Sequence, residues 1–369
     1  MTSHISIKKS KQQKNPFVSV VILNYKCADM TLKCLGFLKK QNYRNFETIV
    51  VENGSHDGSL EKFKKIKWIK LVESKKNLGY ASGNNLGVKF CRGRYIALLN
   101  NDAYVQKNWL MSLVKEMELD NSLGCVMSKV YNKYYGKRFR FEGFGTTNLM
   151  GFSAIYIKKA GNSKIPVATF SPSGTSLLYR KSDVTIPFDD DYFAYYEDTY
   201  LGWVLRLKGK NIKIVPDSKV FHEGNGVLKN IKGLSTFFAY TGERNRLMNL
   251  FMFYSAWSIV KLLPQMLFSI IFLNLYDIKN SPSRIKSYLW LLFHINHIMK
   301  KRKAIQKQRK LQDSEILSYM SCKLFEERSI KNPLLKKLVW LINKINYFYC
   351  WIFFIRTMEF SKREENFMK

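Results

Sequence analysis

Three short stretches hold side chains whose types suit chemistry at a shared site. In Tyr95-Ile-Ala-Leu-Leu-Asn-Asn-Asp102 an apolar run of strand length stops abruptly in three polar residues. A carboxylate that ends a strand stands at the sheet's C-terminal edge, where open α/β sheets bind their ligands. In Phe188-Asp-Asp-Asp-Tyr-Phe-Ala-Tyr-Tyr-Glu-Asp198 acids are set among aromatics, and a helical stretch follows. In Val220-Phe-His-Glu-Gly224 a histidine follows a strand. Each alone has an ordinary structural reading: a polar turn at residues 100–102, a helix N-cap at Asp198, a loop or core histidine at His222. The elements between them have to decide.

Those elements alternate. Residues 17–23 are rich in β-branched side chains and open as a strand. Residues 30–40 place Leu32, Leu35 and Leu38 at helical spacing, with Asp29 ahead of them as the expected N-cap. A strand at 47–51 runs into the turn-dense loop 52–59. A helix at 60–65 and a strand at 68–72 follow. The Gly-rich stretch 77–87 precedes a short helix, and its spacing is not GxGxxG, which argues against a dinucleotide dehydrogenase. Beyond Asp102 come a helix at 108–119, a strand at 124–130, a long aperiodic excursion or hairpin at 131–170 and a strand at 175–180. A helix at 199–208 is closed by Gly209, and a strand at 212–215 is ended by Pro216. Strands alternating with helices predict an α/β fold with a mostly parallel sheet.

The 369 residues carry a formal net charge of +33, spread over both halves of the chain, and 46% are hydrophobic. The hydrophobic share excludes disorder as the default. The charge favours anionic partners: nucleic acid, anionic headgroups or phosphorylated substrates. Six cysteines form no CxxC pair and no metal-finger spacing, as expected of a reduced, cytosolic chain. Residues 1–16 read as a basic, flexible tail without the apolar core of a secretory signal.

Taken in order, Val18-Ser-Val-Val-Ile-Leu-Asn-Tyr25, Val50-Val-Glu-Asn-Gly-Ser-His-Asp-Gly58, Asn77-Leu-Gly79, Leu98-Leu-Asn-Asn-Asp102, Tyr196-Glu-Asp198 and Phe221-His222 resemble the family 2 inverting glycosyltransferases of GT-A fold. The subgroup most similar is the rhamnosyltransferase-like enzymes that build surface polysaccharides. The resemblance covers roughly residues 17–250, and the expected transferase domain is 17–245. It implies that Asp102 matches the last acid of a DxD motif, which holds Mg2+ or Mn2+ against the diphosphate of a nucleotide-sugar donor. It implies that His222 completes the metal site and that Asp198 is the catalytic base. It places Glu52 where the family has an Asp that contacts the nucleobase, and Asn24, Asn53, Asn77, Asn100 and Asn101 in the donor-binding loops. Lys75, Lys76 and Arg180 are cations that suit phosphate, and the 131–170 excursion suits acceptor specificity. The chain departs from the pattern in three places. The DxD motif is Asn-Asn-Asp, Glu52 replaces Asp, and Tyr200 and Val204 replace an acid and a base of the segment after Asp198.

Residues 246–369 read as a helical, membrane-associating appendage. An apolar stretch at 247–276 has Lys261, Pro264 and Gln265 at its middle, which predicts an in-plane helix pair broken near Pro264 over a single span. A second, at 338–355, is interrupted by Asn343, Lys344 and Asn346. The basic run 300–310 between them is expected to meet an anionic membrane surface. Together these predict a metal-dependent inverting glycosyltransferase on the cytoplasmic face of the cell membrane. It would move a sugar, rhamnose by resemblance, from a nucleotide-sugar to a lipid-linked or surface polysaccharide acceptor. Two rivals stand beside it. A basic nucleic-acid- or membrane-binding protein without catalysis fits the charge, but no nucleic-acid motif is present, so no nucleic-acid partner is expected. A dolichyl-phosphate or polymerising glycosyltransferase of the same fold would, if processive, carry a QxxRW motif and several spans, which are not found.

Overall fold

The computed structural model describes residues 16–133, 138–141, 145–152, 155–156, 163–224, 233–327 and 330–361. The expected basic tail lies outside them apart from Pro16. The strands are β1 (Val18–Asn24), β2 (Phe46–Asn53), β3 (Lys70–Ser74), β4 (Tyr95–Leu99), β5 (Ala103–Val105), β6 (Leu123–Lys133), β7 (Phe139–Arg140), β8 (Gly145–Thr146), β9 (Ile155–Tyr156), β10 (Val167–Ala168), β11 (Ser176–Arg180) and β12 (Asn211–His222). The helices of the first two-thirds are α1 (Ala28–Leu38), α2 (Ser59–Lys64), α3 (Gly79–Val88), α4 (Trp109–Leu119) and α5 (Glu197–Leu207). The rest are α6 (Leu234–Phe253), α7 (Ala256–Tyr276), α8 (Ser281–Phe293), α9 (Ile295–Gln306), α10 (Asp313–Leu317) and α11 (Pro333–Ile352).

Among the described residues one sheet runs in the order β10-β12-β6-β11-β4-β1-β2-β3, with β5 paired to β12 and β7 to β6. Strands β3, β2, β1 and β4 are parallel because α1, α2 and α3 carry the chain back between them. Strand β11 lies antiparallel between β4 and β6. Both faces are covered. Val18, Val20 and Ile22 point to α1 and α4, while Val21 points to the side of α3, α5 and the C-terminal helices. That explains the continuous apolar runs of β1 and β4, which are buried on both sides.

Several elements differ from the sequence expectation, each for a visible reason. The Gly-rich stretch is itself the helix α3. A Cβ at Gly87 would meet Val21 and Val51 at 2.6 and 2.7 Å, so the glycines let the helix lie directly on β1 and β2. Asp29 is not the N-cap of α1. Cys27 holds that position without a side-chain bond, and Asp29 sits in the first turn, paired with Lys62. The third strand begins at Lys70 and leaves Trp68 outside it. Pro216 does not end its strand. Strand β12 continues to His222 through a register shift against β6 between Val215 and Lys219, which absorbs the missing N–H.

The C-terminal helices pack against the sheet through α6. The expected boundary at 245/246 falls inside this continuous helix, whose Met248, Leu250 and Phe253 join the core of α3 and α5. The long apolar stretch breaks at Tyr254, not at Pro264. Ser255 caps α7 by accepting from Ser258 N at 3.1 Å, and Pro264 sits inside α7 on its exposed side. The free carbonyls ending α6 are met from α9 and the turn after it: Arg302 donates to Phe251 O and Tyr254 O, Gln306 to Met252 O and Phe253 O, and Arg309 to Phe253 O. The basic run expected at a membrane is therefore divided. Lys301, Arg302 and Arg309 turn inward, while Lys300, Lys303, Lys307 and Lys310 are exposed.

Within α6, Arg246 and Glu243 form a buried pair at 2.7 Å, and Arg246 also donates to Met150 O at 2.6 Å. Removing one partner strands the other charge in the core. Arg246→Ala should lower stability by about 3–5 kcal/mol, measured as a fall in the urea midpoint; an unchanged midpoint would refute the pairing.

Candidate active site

Strand β4 ends at Leu99, and the residues after it turn back at once into β5, with Ala103 N bonded to Asn100 O. Strand β5 is absent from the sequence expectation, and it assembles the first half of the site. It pairs antiparallel with the extension of β12 beyond Pro216, in a register that sets His222 opposite Ala103. Asp102 Oδ1 and His222 Nε2 thereby come to 3.2 Å, and both residues are largely buried. The other ring nitrogen, Nδ1, lies 3.0 Å from Asn132 Oδ1, because β6 pairs Asn132 with His222. A partner on Nδ1 orients the ring so that Nε2 faces Asp102. Asn132 lies in the aperiodic stretch, where nothing in the sequence marked it.

The neighbouring loops interlock. Asn24 donates to Glu52 Oε2 at 2.5 Å and accepts from Thr31 Oγ1 at 2.7 Å, and Thr31 Oγ1 in turn accepts from Asn101 at 3.1 Å. Glu52 Oε1 accepts from Ser55 N at 2.9 Å, so both of its oxygens are engaged inside the β1 and β2 loops. Asn53 donates to Asn77 Oδ1 at 3.0 Å and accepts from Leu78 N at 3.1 Å. The expected residues Asn24, Glu52, Asn53, Asn77, Asn101, Asp102 and His222 thus gather at the C-terminal ends of β1, β2, β3, β4 and β12. Lys75 and Lys76 follow β3 at the same edge. Arg180 does not belong there. Its register partner is Tyr95, at the opposite end of β4, where it donates to Tyr95 Oη and Met117 O.

Asp198 forms the second half. It is the second residue of α5, not its N-cap; that position is Tyr196. Asp198 Oδ2 accepts from Gly174 N at 3.3 Å and Oδ1 from Thr199 N at 2.7 Å. The residue after Gly174 completes the link to β4, since Thr175 O accepts from Asn100 N at 3.0 Å. Tyr80 of α3 donates to Gly174 O at 2.6 Å. Burial raises its phenol pKa well above the ordinary value, with the charges of Glu197, Asp198 and Asp102 adding to it. Tyr80 therefore holds the segment that receives Asp198, though as one more aromatic it carried no sequence signal. Burial also raises the pKa of Asp198, restrained by the amides of Gly174 and Thr199. It raises Glu197 too, with the Asp198 charge adding to the effect, and Glu197 Oε2 has no hydrogen-bond partner.

The loop into Asp198 is bent. Tyr195 and Tyr196 have φ of +72° and +65°, a region that costs a non-glycine residue roughly 1–3 kcal/mol. Helix α6 holds it there. Asn245 donates to Ala194 O at 3.0 Å and Tyr195 O at 2.8 Å, Asn249 to Tyr196 O at 3.2 Å, and Arg244 to Asp191 O at 2.8 Å. The acids ahead of it are structural: Lys301 pairs with Asp189 and Asp191. Where the family pattern has an ion pair after Asp198, Tyr200 packs edge-on against Tyr192 and Phe253. A cavity of about 510 Å³ opens beside Asp198 and Glu197, walled by Tyr195, Phe238 and Gly242, with Leu273 of α7 on its far side.

A divalent cation fits the donor set. Asp102 and His222 converge, and the nearby Asn100 Oδ1 is buried without a hydrogen-bond partner. Among the described residues no group of three or more His, Cys, Asp or Glu comes together. That spare set suits an ion whose remaining ligands are phosphate and water.

Residues 19–186 match the family model described as Glycosyl transferase family 2. Chondroitin synthase of Pasteurella multocida (strain Pm70) is 31% identical over 125 residues, covering 33% of this chain and 13% of that protein. An Escherichia coli protein named UDP-Glc:alpha-D-GlcNAc-diphosphoundecaprenol beta-1,3-glucosyltransferase WfaP is 30% identical over 128 residues, 34% of this chain and 49% of that one. The chain thus spans less than half the length of either relative. The crystal structure of GalNAc-T7 with UDP, GalNAc and Mn2+ shares the fold, with a TM-score of 0.56 at 15% identity over 66% of this chain and 49% of that one. The parallel core, the β5–β12 pairing and the match over residues 19–186 make this part of the chain similar to the family 2 glycosyltransferases, with a sheet of GT-A fold.

Proposed function

We propose that this chain transfers a sugar, with inversion, from a nucleotide-sugar to a lipid-linked or surface polysaccharide acceptor at the cytoplasmic face of a membrane. The observation that carries the reading is the Gly174–Thr175 link. One end bonds Asp198 and the other holds the close of β4, so an acid suited to proton transfer and an acid suited to phosphate chemistry share one sheet edge. Residues 17–245 would supply the transferase and 246–369 the membrane association. The relatives support the substrate classes: WfaP is named for a UDP-sugar and a diphosphoundecaprenol acceptor, and GalNAc-T7 was crystallised with UDP and Mn2+.

In the proposed reaction the acceptor hydroxyl oxygen bonds to the anomeric carbon as the bond to the donor's diphosphate oxygen breaks. The hydroxyl proton goes to the Asp198 carboxylate, and the nucleoside diphosphate leaves. Asp198 keeps lone pairs free beyond those used by Gly174 and Thr199. With the acceptor seated against it, the aromatic wall beside it would exclude water and protect the donor from hydrolysis. Asn24, Asn53, Asn77, Asn100 and Asn101 would line the donor's nucleotide and diphosphate. Glu52 would act there through Asn24, since its oxygens are engaged within the loops. Asp102 and His222 would hold Mg2+ or Mn2+, which when bound stabilises the charge developing on the leaving diphosphate.

A thermal-shift screen of nucleotide-sugars with Mn2+ identifies the donor and separates a rhamnose nucleotide, the sugar that the sequence resemblance implies, from UDP-hexoses. With that donor, Asp198→Asn should lower kcat by about 10²–10⁴-fold while donor binding persists; substantial turnover by the mutant would refute the assignment. The base must be ionised to work. Its raised pKa therefore moves the acid limb of kcat/KM above the ordinary Asp value of about 4. Activity should fall as pH drops through that limb, and a limb at or below the ordinary value would contradict the buried site. EDTA should abolish transfer and Mn2+ restore it, and His222→Ala should weaken Mn2+ binding by at least about tenfold in calorimetry. Full activity in EDTA would remove the metal role.

A further inference from the structure

Three C-terminal helices are built inside out. On α11 the side chains facing the protein are Val339, Asn343, Asn346 and Cys350, a stripe at helical spacing. Asn343 accepts from Leu324 N at 2.9 Å and donates to Phe325 O at 3.0 Å, and Asn346 donates to Cys322 O at 2.5 Å. The opposite stripe, Leu334, Leu338, Leu341, Ile345, Phe348 and Ile352, follows the same period and faces outward, with Ile345 61% and Phe348 58% exposed. Helix α7 repeats the arrangement. Leu262, Gln265, Met266 and Ser269 are buried, while Trp257, Leu263, Leu267, Ile271 and Leu275 are exposed. On α8, Arg284, Ser287 and Leu291 face inward, and Ile285, Leu289, Leu292 and Phe293 face outward. A helix in contact with water shows the reverse pattern.

The three helices adjoin. Tyr349 of α11 donates to Lys261 O of α7 at 2.8 Å, and Lys261 Nζ donates to Phe353 O at 3.0 Å. Asn274 of α7 bonds Tyr288 of α8 at 2.9 Å. None of the three helices carries an acidic residue, and Lys279, Lys286, Lys336, Lys337 and Lys344 are exposed along them.

We infer that the outward faces of α7, α8 and α11 form one docking surface for an anionic lipid leaflet, with all three helices lying in its plane. The inference deepens the membrane association proposed above and is independent of the transfer chemistry. The charge argues for lipid: lysines beside an apolar face without acids match anionic headgroups above acyl chains, and Trp and Tyr suit the boundary. A second copy of a chain of net charge +33 would bring like charges together. Among the described residues α7 alone is long and apolar enough to cross a bilayer. Yet protein contacts run along it from Ser255, bonded to Asp313 at 2.8 Å, to Asn274. A crossing α7 would carry those polar partners into hydrocarbon.

The test uses the full chain with vesicles of phosphatidylcholine alone or mixed with phosphatidylglycerol. The wild type should float with the anionic vesicles, and brominated lipid should quench its tryptophans. The exposed triple substitution Leu338→Glu, Ile345→Glu, Phe348→Glu should lower the partition coefficient by at least about 100-fold, with an unchanged thermal midpoint and unchanged thermal shift by donor. A companion triple on α7, Leu263→Glu, Leu267→Glu, Ile271→Glu, should do the same should the first fail to fold. Failure of the wild type to bind vesicles would overturn both the surface and the membrane association. Vesicle binding that survives the folded variants would overturn the surface alone. A wild-type dimer that the variants render monomeric, without vesicle binding, would make a second copy the occupant and overturn the inference. Loss of sugar transfer with vesicle binding intact would count against the transfer reading only.

Discussion

The two hydrogen bonds that Asn245 donates to the carbonyls of Ala194 and Tyr195 hold the site together. They fix a loop whose two tyrosines sit in a backbone region that favours glycine, and that loop delivers Glu197 and Asp198 to the first turn of α5. Gly174 then receives Asp198, and through Thr175 the end of β4 is tied to it. The strain is local and the restraint is distant in sequence. The donors come from α6, about fifty residues downstream of the loop they bind. Helix α6 is in turn fixed by Arg302 and Gln306 of α9 and by Arg309 just beyond it, which meet its last carbonyls. The C-terminal helices are thereby part of the machinery that positions the proposed base.

The other half of the site rests on a single bulge. Without the register shift between Val215 and Lys219, β12 would stop near Pro216. His222 would then not stand opposite Ala103. The extension pairs with β5 on one side and β6 on the other, so Asp102 and Asn132 reach His222 from its two neighbouring strands. Backbone pairing places these side chains, and they lie close with little freedom left to lose on binding.

The sequence made the parallel core legible because β1, β2 and β4 are apolar, β-branched and sharply ended, which is how doubly covered strands read. Order along the chain, at strand or helix ends, singles out Asp102, His222 and Asp198, and the structure sets Asp102 beside His222. Strand β5 was not legible, since three residues carry no period. The passage of β12 through Pro216 was missed because the rule that proline ends a strand yields to a bulge. Asn132, Tyr80 and Gly174 were missed because their roles depend on register and close packing between segments far apart in sequence. The polar residues of α11 were misread in an informative way. Asn343 and Asn346 look like interruptions of an apolar helix, and they are its attachment points to the protein. Periodicity shows that a helix has two faces; only its neighbours show which one is inside.

The continuity of α6 has a consequence for how the gene can be cut. A helix that begins after the last strand and runs past residue 245 gives no exposed joint at which a catalytic fragment ends cleanly. A stop codon just after 245 would leave Asn245 at a frayed terminus, with Asn249 and the Arg246 side of the buried ion pair gone. A cut at that point separates Asn245 from the rest of the helix that holds the bent loop.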